Sequence, residues 1–200
     1  MSATLGPFGL RPIQKLGGTP VSVPKYSTIT SGYATAIGAY DPVKLVGGVL
    51  QRAAGTAATD GASLTLGGII GTFLGCEYTD ANGRRQESNQ WLASLVATNI
   101  IAYYTEDPYI TYEIQASGSI AQSNVGNEAD FLVSSLGPAN TTVGISGALL
   151  DPTTISNSVQ KLLRIVGLTP GPSNAYGDAF TIVQVQIAKH QFAYPQVPIA

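Results

Sequence analysis

Two segments of the chain alternate apolar and polar side chains with a period of two residues. In residues 109–116, YITYEIQA, the side chains of Ile110, Tyr112 and Ile114 fall on one side of the alternation. In residues 179–192, AFTIVQVQIAKHQF, valine and isoleucine alternate with glutamine. Successive side chains of a strand point to opposite faces, so both segments are predicted to be β-strands with one buried face.

A long hairpin is predicted between Gly67 and Trp91, where an apolar run climbs to Tyr78 and a polar segment returns. Between them lies Asp80-Ala81-Asn82-Gly83, and Asn-Gly tolerates the positive φ of a tight turn. Four glycines in the first leg predict bulges or close backbone approaches: Gly67, Gly68, Gly71 and Gly75. The tip carries the only adjacent basic pair, Arg84-Arg85, which we expect to be a contact or a solvent-facing loop.

The rest of the chain adds shorter segments of mostly β character. Strands are predicted at Tyr26–Ile37, Val43–Val46 and Gly144–Leu150, residues 93–105 form a further apolar segment, and residues 159–168 fit a strand or a helix. Residues 119–135 are compatible with one short helix. The expected fold is therefore all-β and mainly antiparallel, a small β-barrel or a jelly-roll-like sandwich.

The two ends of the chain are rich in proline. Residues 1–26 are predicted to form an extended Gly/Pro-rich arm, and residues 27–200 a single β-rich domain that ends in an extended tail. Phe8, Leu10 and Ile13 could lie on a neighbouring chain or on the domain itself, and a loosely ordered leader is the alternative. We also expect that deleting residues 1–25 leaves a folded core.

Composition argues against two classes of partner. Charged residues make up 11% of the chain and the formal net charge is −2, whereas nucleic-acid binders depend on clustered Lys and Arg. No apolar run reaches the length of about 18 residues that spans a bilayer, and the N-terminus lacks a secretory pattern. A surface with so few charges suits a protein that is packed in an assembly.

Catalytic and metal-binding patterns are missing from the sequence. The one histidine, His190, has no Cys pair to complete a metal site and no G-x-S-x-G motif to complete a serine triad. Cys76 stands in an apolar run and is expected to be a small buried hydrophobe. The predicted protein is not an enzyme and has no cofactor or metal.

Five segments, in their order along the chain, resemble small capsid proteins of tailed bacteriophages. They are GPFGLRPIQKLGGTP, the Tyr26–Ile37 strand with GAYDPVKL, GTFLGCEYTDANGRRQESNQW, DPYITYEIQASGS and NAYGDAFTIVQVQIAKHQF. One departure is Ala39-Tyr40, which stand where this group commonly has a glycine before Asp-Pro.

The resemblance implies a head decoration protein, also called a cement or head auxiliary protein. Such a protein would be made in the host cytoplasm and would bind the outside of the icosahedral head as a homodimer or homotrimer. There it would bridge subunits of the major capsid protein and stabilise the shell. The expected contact residues lie in the arm and at the hairpin tip: Phe8, Leu10, Arg11, Ile13, Arg84 and Arg85.

Two other functions stay open. A carbohydrate-binding or adhesive β-module could use an aromatic platform for stacking sugars, built from Trp91, Tyr103, Tyr104, Tyr109 and Tyr112. A minor tail or neck component of a virion is the other alternative.

Overall fold

A computed structural model describes residues 4–15, 18–20, 24–53, 68–139 and 142–193. Within these ranges the protein consists of eleven β-strands and three 3₁₀ turns, and all strand pairs are antiparallel. The strands are β1 (Arg11–Lys15), β2 (Lys25–Ser27), β3 (Pro42–Val46), β4 (Val49–Arg52), β5 (Gly71–Thr79), β6 (Arg85–Ser88), β7 (Thr98–Tyr104), β8 (Ile110–Gln115), β9 (Glu128–Ala129), β10 (Leu163–Leu168) and β11 (Ile182–Ile187).

The first sheet has five strands in the order β1-β8-β11-β10-β9. The two segments with the clearest alternation form its neighbouring central strands, with Tyr112 opposite Val185. Their apolar side chains belong to one core cluster, which also includes Leu10, Phe131 and Leu150. All six residues of β8 are buried, so the expectation of a single buried face is wrong for this strand.

The second sheet has six strands, in the order β2-β7-β5-β3-β4 with β6 added to β5. Strand β5 is nine residues long, which allows its start to pair with β3 and its end with β6 along one edge. A second core cluster includes Phe73 and Tyr104 of this sheet, together with Trp91.

Two hairpin glycines confirm the predicted bulge and close approach. A Cβ atom on Gly71 would lie 1.8 Å from the backbone oxygen of Thr105, so only glycine fits there. Gly75 has a φ of 146° and lies where the β5–β7 register shifts. Gly67 lies outside the described residues.

The six-stranded sheet curls without closing. Directly after β2, the Thr28 oxygen accepts a hydrogen bond from the Leu50 nitrogen of β4 at the opposite edge, at 2.8 Å. This is a single bridge rather than a strand pair, so both sheets stay open. The all-β antiparallel prediction is confirmed, and of the two expected architectures the open sheets are consistent with a sandwich.

The observed elements decide several local predictions. The ambiguous segment at 159–168 contains strand β10, and the possible helix at 119–135 is reduced to 3₁₀ turns at Gln122–Asn124 and Val133–Ser135. The predicted strand Gly144–Leu150 is wrong, since Ile145, Ser146 and Leu150 make only isolated bridges. In the described part of the chain, no helix is long and apolar enough to cross a bilayer.

The predicted strand Tyr26–Ile37 is much shorter than expected. Pairing with β7 ends at Ser27, and the chain turns at Ser31-Gly32, where Gly32 has a φ of 76°. The predicted extended tail, residues 194–200, lies outside the described residues.

Residues 4–15 lie on the domain itself, one of the two placements expected. They include β1, which pairs with β8, and Leu10, which is fully buried in the first core cluster. Deleting residues 1–25 would therefore remove a strand and a core side chain, and from this fold we expect the truncation to destabilise the core.

Two chain links join the sheets. One runs from β1 to β2, and the other runs from β7 to β8. Ion pairs connect them at both ends: Lys15 with Asp107 at 2.7 Å, and Lys25 with Glu106 at 3.6 Å. Between the sheets, the Thr105 hydroxyl accepts from the Thr72 nitrogen and meets the Tyr112 hydroxyl at 2.8 Å.

Candidate contact surfaces

The hairpin tip is a rigid turn organised by Asp80. Its Oδ1 accepts hydrogen bonds from the backbone nitrogens of Asn82 and Arg84, both at 2.9 Å, and its Oδ2 accepts from Gln86 at 3.1 Å. These bonds, led by that from Arg84, lower the pKa of Asp80. Gly83 has a φ of 76°, which confirms the conformation predicted from Asn-Gly.

The two tip arginines differ in their surroundings. Arg84 is exposed, whereas Arg85 forms an ion pair with Glu77 on the adjacent strand. Glu77 also accepts a hydrogen bond from the Tyr103 hydroxyl at 2.9 Å. The Arg85 side chain stays 70% exposed, so its guanidinium is held in place and still accessible to a partner.

An exposed tyrosine extends this group to the edge of the six-stranded sheet. Tyr26 of β2 stands directly opposite Tyr103, and Tyr26 is 74% exposed. Residues opposite each other in an antiparallel pair share a face. Tyr26, Tyr103, Glu77 and Arg85 therefore form one continuous surface, which we call the tyrosine face.

The sequence predicted two residues of the tyrosine face to be functional: Arg85 as a contact residue and Tyr103 as part of a sugar-stacking platform. Tyr26 and Glu77 were missed as contact residues, because nothing local shows that β2 pairs with β7. The signal that was available is an aromatic residue beside Lys25 in a short strand after Pro24, a composition that suits an exposed sheet edge.

The arm residues form a second group on the five-stranded sheet. The Arg11 guanidinium lies 5.0 Å from the centre of the Phe8 ring and forms an ion pair with the buried Glu113 of β8. Ile13 lies at a register shift of β1 and is half-buried. Leu10 is fully buried in its own chain, so in this arrangement its side chain is not exposed to a partner.

The structure does not bring the arm residues and the tip residues into one site. Phe8 and Arg11 lie on the sheet that contains β8, whereas Arg84 and Arg85 lie on the hairpin of the other sheet. They would have to contact partners separately.

A buried carboxylate, Asp41, holds together segments that are distant in the sequence. Its Oδ2 accepts from the Gly38 nitrogen at 2.7 Å, and its Oδ1 accepts from the Gly137 nitrogen at 3.0 Å and from the Ser146 hydroxyl. Burial raises the pKa of Asp41, and these hydrogen bonds oppose the shift. Two of these donors lie about a hundred residues away in the sequence, so Asp41 connects distant segments of the fold.

A second buried acidic group is also structural. Glu128 and Asp130 are almost fully buried and pair with Arg164 and Lys161, each pair at 3.1 Å. The backbone nitrogens of Lys161 and Leu162 donate to the same two carboxylates. Burial raises the pKa of Glu128.

The residues most often used in catalysis are buried and separate. His190 is buried, and its Nδ1 accepts from the Phe192 nitrogen at 3.1 Å. Cys76 is a buried thiol whose pKa burial raises to about 12. Among the described residues, no group of three or more His, Cys, Asp or Glu side chains could hold a metal ion.

The five aromatic residues considered for sugar stacking do not share a surface. Trp91, Tyr104 and Tyr112 are buried in the cores, Tyr103 is half-buried, and Tyr109 is exposed.

Comparison of the chain with known protein families, with curated proteins and with solved structures finds no match.

Proposed function

We propose that this protein is a structural component of a virion that decorates the outside of a tailed-bacteriophage head. In this role it bridges subunits of the major capsid protein and stabilises the shell, as a homodimer or homotrimer, without catalysis. The proposal rests on the ordered set of motifs that resemble such proteins and on the surface of this chain.

The observation that carries the proposal is that the resembling segments contact one another in the fold. The segment GPFGLRPIQKLGGTP contains β1, DPYITYEIQ contains β8 and FTIVQVQI contains β11, and these three strands are adjacent. The Leu10 nitrogen donates to the Tyr40 oxygen of the GAYDPV segment at 2.8 Å. Four of the resembling segments thus belong to one packed unit of the fold.

The surface of the chain supports an assembly role. Large apolar side chains are exposed in both sheets and in the loops, including Tyr26, Val96, Tyr109 and Phe192 at 61–74%. Aromatic residues and arginine are enriched at protein interfaces and supply most of their binding energy. Together with a charged fraction of 11%, this favours a chain that functions with part of its surface covered.

The tyrosine face is the surface that we assign to capsid binding. Tyr26 offers a flat aromatic anchor, and the Glu77 ion pair fixes the exposed guanidinium of Arg85. Such a fixed arginine loses less side-chain entropy when it binds a carboxylate on a partner.

The test is binding of the purified chain to shells of its parent phage that lack it, with occupancy measured by cryo-EM. Tyr26→Ala should lower occupancy about tenfold or more, as expected for an interface anchor. Arg84→Ala with Arg85→Ala should weaken binding and reduce its dependence on salt, while circular dichroism stays unchanged.

Tyr109→Ala is the matched control, because Tyr109 is similarly exposed but lies in the link between β7 and β8. Equal binding by all three variants would reject the tyrosine face. A chain that never binds shells, or that appears on the tail or neck in micrographs, would reject head decoration.

A further inference from the structure

The docking site of the N-terminal residues 4–15 has the form of a peptide-binding site. We propose that this site also binds residues 4–15 of a second copy of the chain, so that two copies can exchange their N-terminal strands. The inference does not depend on the proposed function.

Contacts of several kinds hold residues 4–15 along one edge of the five-stranded sheet. The side-chain amide of Gln115 donates to the Thr4 oxygen at 3.0 Å and accepts from the Gly6 nitrogen at 2.8 Å. Further along, Leu10 is inserted into the core, Arg11 pairs with Glu113, and Lys15 pairs with Asp107.

The fit at Gly9 makes this docking specific. Gly9 has a φ of 78°, and a Cβ atom there would lie 2.7 Å from both the Tyr40 oxygen and the Ser146 Cβ. Backbone therefore meets backbone directly at this point, and only glycine permits the approach. Leu10, the next residue, then donates its backbone nitrogen to Tyr40.

An empty site would be unfavourable. With residues 4–15 in place, Glu113 and Gln115 are both at least 95% buried. Without these residues the Glu113 carboxylate would lose its ion pair and the Gln115 amide would lose two backbone partners. A cavity would also remain where Leu10 packs. The site therefore needs an occupant of this sequence, and every copy of the chain carries one.

Exchange requires a change at only one place. The tertiary contacts described for residues 4–15 are to residues 110–113 of β8, to the first core cluster, and to Tyr40, Asp107, Gln115 and Ser146. All of them re-form when the segment comes from another copy. The one local contact is a turn, in which the Gly18 nitrogen donates to the Lys15 oxygen and the Lys15 nitrogen donates to the Thr19 oxygen.

The link between β1 and β2 comprises nine residues, 16–24, and includes Gly17, Gly18, Pro20 and Pro24. Extended, such a link spans about 30 Å, enough for β1 to reach a neighbouring copy. Because β1 is an edge strand and pairs only with β8, its release separates no other pair of strands in the sheet. Domain swapping of this kind is a low-cost route to dimers.

In dilute solution, residues 4–15 dock mainly on their own chain. A short link holds its own segment at an effective concentration of about a millimolar, so a neighbour competes only at similar concentrations or when the turn is opened. Gly18 has a φ of 82° with no atom near its Cβ position, so substitutions there act on the turn alone.

The test has two parts: a substitution that disrupts the turn at Gly18, and a disulfide that links β1 of one chain to β8 of another. Gly18→Pro cannot adopt the positive φ and should shift the chain toward dimers in light scattering. Gly18→Asn is the matched control, because asparagine tolerates this conformation and should keep the chain monomeric.

The trap uses Gln14 and Thr111, which are opposite each other across β1 and β8. Opposed residues of an antiparallel pair have Cα atoms about 4.5–5.5 Å apart, a separation that a disulfide accepts. One Gly18→Pro chain carries Gln14→Cys, and another carries Thr111→Cys.

After the two are co-refolded at about millimolar concentration and oxidised, we expect a disulfide-linked pair of chains, several-fold above a control in which Ser158→Cys replaces Thr111→Cys. The native Cys76 is buried and does not compete. If the mixture gives no more linked dimer than the control, while a chain with both Gln14→Cys and Thr111→Cys closes within itself, strand exchange is overturned.

Discussion

At the scale of single residues, three Asp-Pro pairs look alike in the sequence and play different roles. Asp107 and Asp151 each accept a hydrogen bond from the backbone nitrogen two residues on, a local turn arrangement. Asp41 instead accepts from Gly137 and Ser146, 96 and 105 residues away. No local pattern distinguishes a turn aspartate from one that connects distant segments.

This difference predicts unequal costs of the same substitution. Asp41→Asn places an amide donor among three donors in a buried site, and we expect it to lower the free energy of unfolding by about 3 kcal/mol. Asp151→Asn should cost about 0.5 kcal/mol or less, since asparagine caps a helical turn nearly as well as aspartate. Urea denaturation of both variants is the measurement, and equal costs would contradict the role assigned to Asp41.

Tyr40 occupies a backbone conformation that glycine adopts without strain. Its φ is 69°, so this residue just before Asp41 is held in the left-handed region.

Comparing two substitutions at Tyr40 isolates this backbone strain. Both Tyr40→Ala and Tyr40→Gly remove the side chain, but alanine keeps the left-handed strain. We therefore expect the glycine variant to be more stable than the alanine variant by about 1 kcal/mol. Thermal unfolding measures the difference. In an ordinary extended position alanine would be the more stable, so that result would rule out the strain.

At the scale of elements, β1 shows how a segment with loop-like composition becomes a strand. Proline and glycine around it argued for an arm, and Pro12 at a sheet edge needs no amide donor. Strand β1 forms because β8 supplies a pairing edge and because the core takes up Leu10. Both partners lie about a hundred residues away and cannot be read from the segment itself.

Truncating two aliphatic side chains measures how much β1 and the residue before it contribute to the free energy of unfolding. Leu10→Ala removes a fully buried side chain and should lower the free energy of unfolding by about 3 kcal/mol. Ile13→Ala, at the half-buried register shift, should cost about 1 kcal/mol. Similar small losses for both, measured by chemical denaturation, would mean that the arm is not part of the core.

At the scale of the whole molecule, the only histidine lies where the sheets meet. Ile69 forms a parallel bridge with His190, and the charged groups near it are Asp107 and Glu106 of the second link, which pair with Lys15 and Lys25. Burial lowers the pKa of His190 below its ordinary value of 6.5, while nearby backbone and acidic groups partly oppose the shift.

The sign of the resulting pH dependence follows from this direction. Because the unfolded chain binds the proton more readily, the contribution of His190 is fully present above about pH 6.5 and is lost as pH falls through the lower folded pKa. Asp41 and Glu128 act oppositely, since their raised pKa values favour the folded state at low pH. Comparing the wild type with His190→Gln separates the contribution of His190 to the pH dependence of stability from the contributions of Asp41 and Glu128.

We expect the wild type to lose stability relative to His190→Gln between about pH 6.5 and pH 5, measured by urea midpoints across the range. Protonation would also remove the Nδ1 acceptor of the Phe192 nitrogen, so amide exchange at residue 192 should increase in the same range. A constant difference between the two proteins across this pH range would contradict the assignment.

The sequence by itself determined the features that depend on neighbouring residues. The alternation of β8 and β11, the turn of the hairpin, and the all-β class all follow from side-chain periodicity and from Asn-Gly at the tip. The exposed position of Arg84 and Arg85 follows in the same way, because a tight turn projects its polar residues into solvent.

Only the tertiary structure decided which segments meet. It places β1 on β8, brings Tyr26 beside Tyr103 to form the tyrosine face, buries Leu10, and makes Asp41 a connection between distant segments. The physical reason is that antiparallel pairing and core packing join residues far apart in the chain, and their partners are selected by global shape and register.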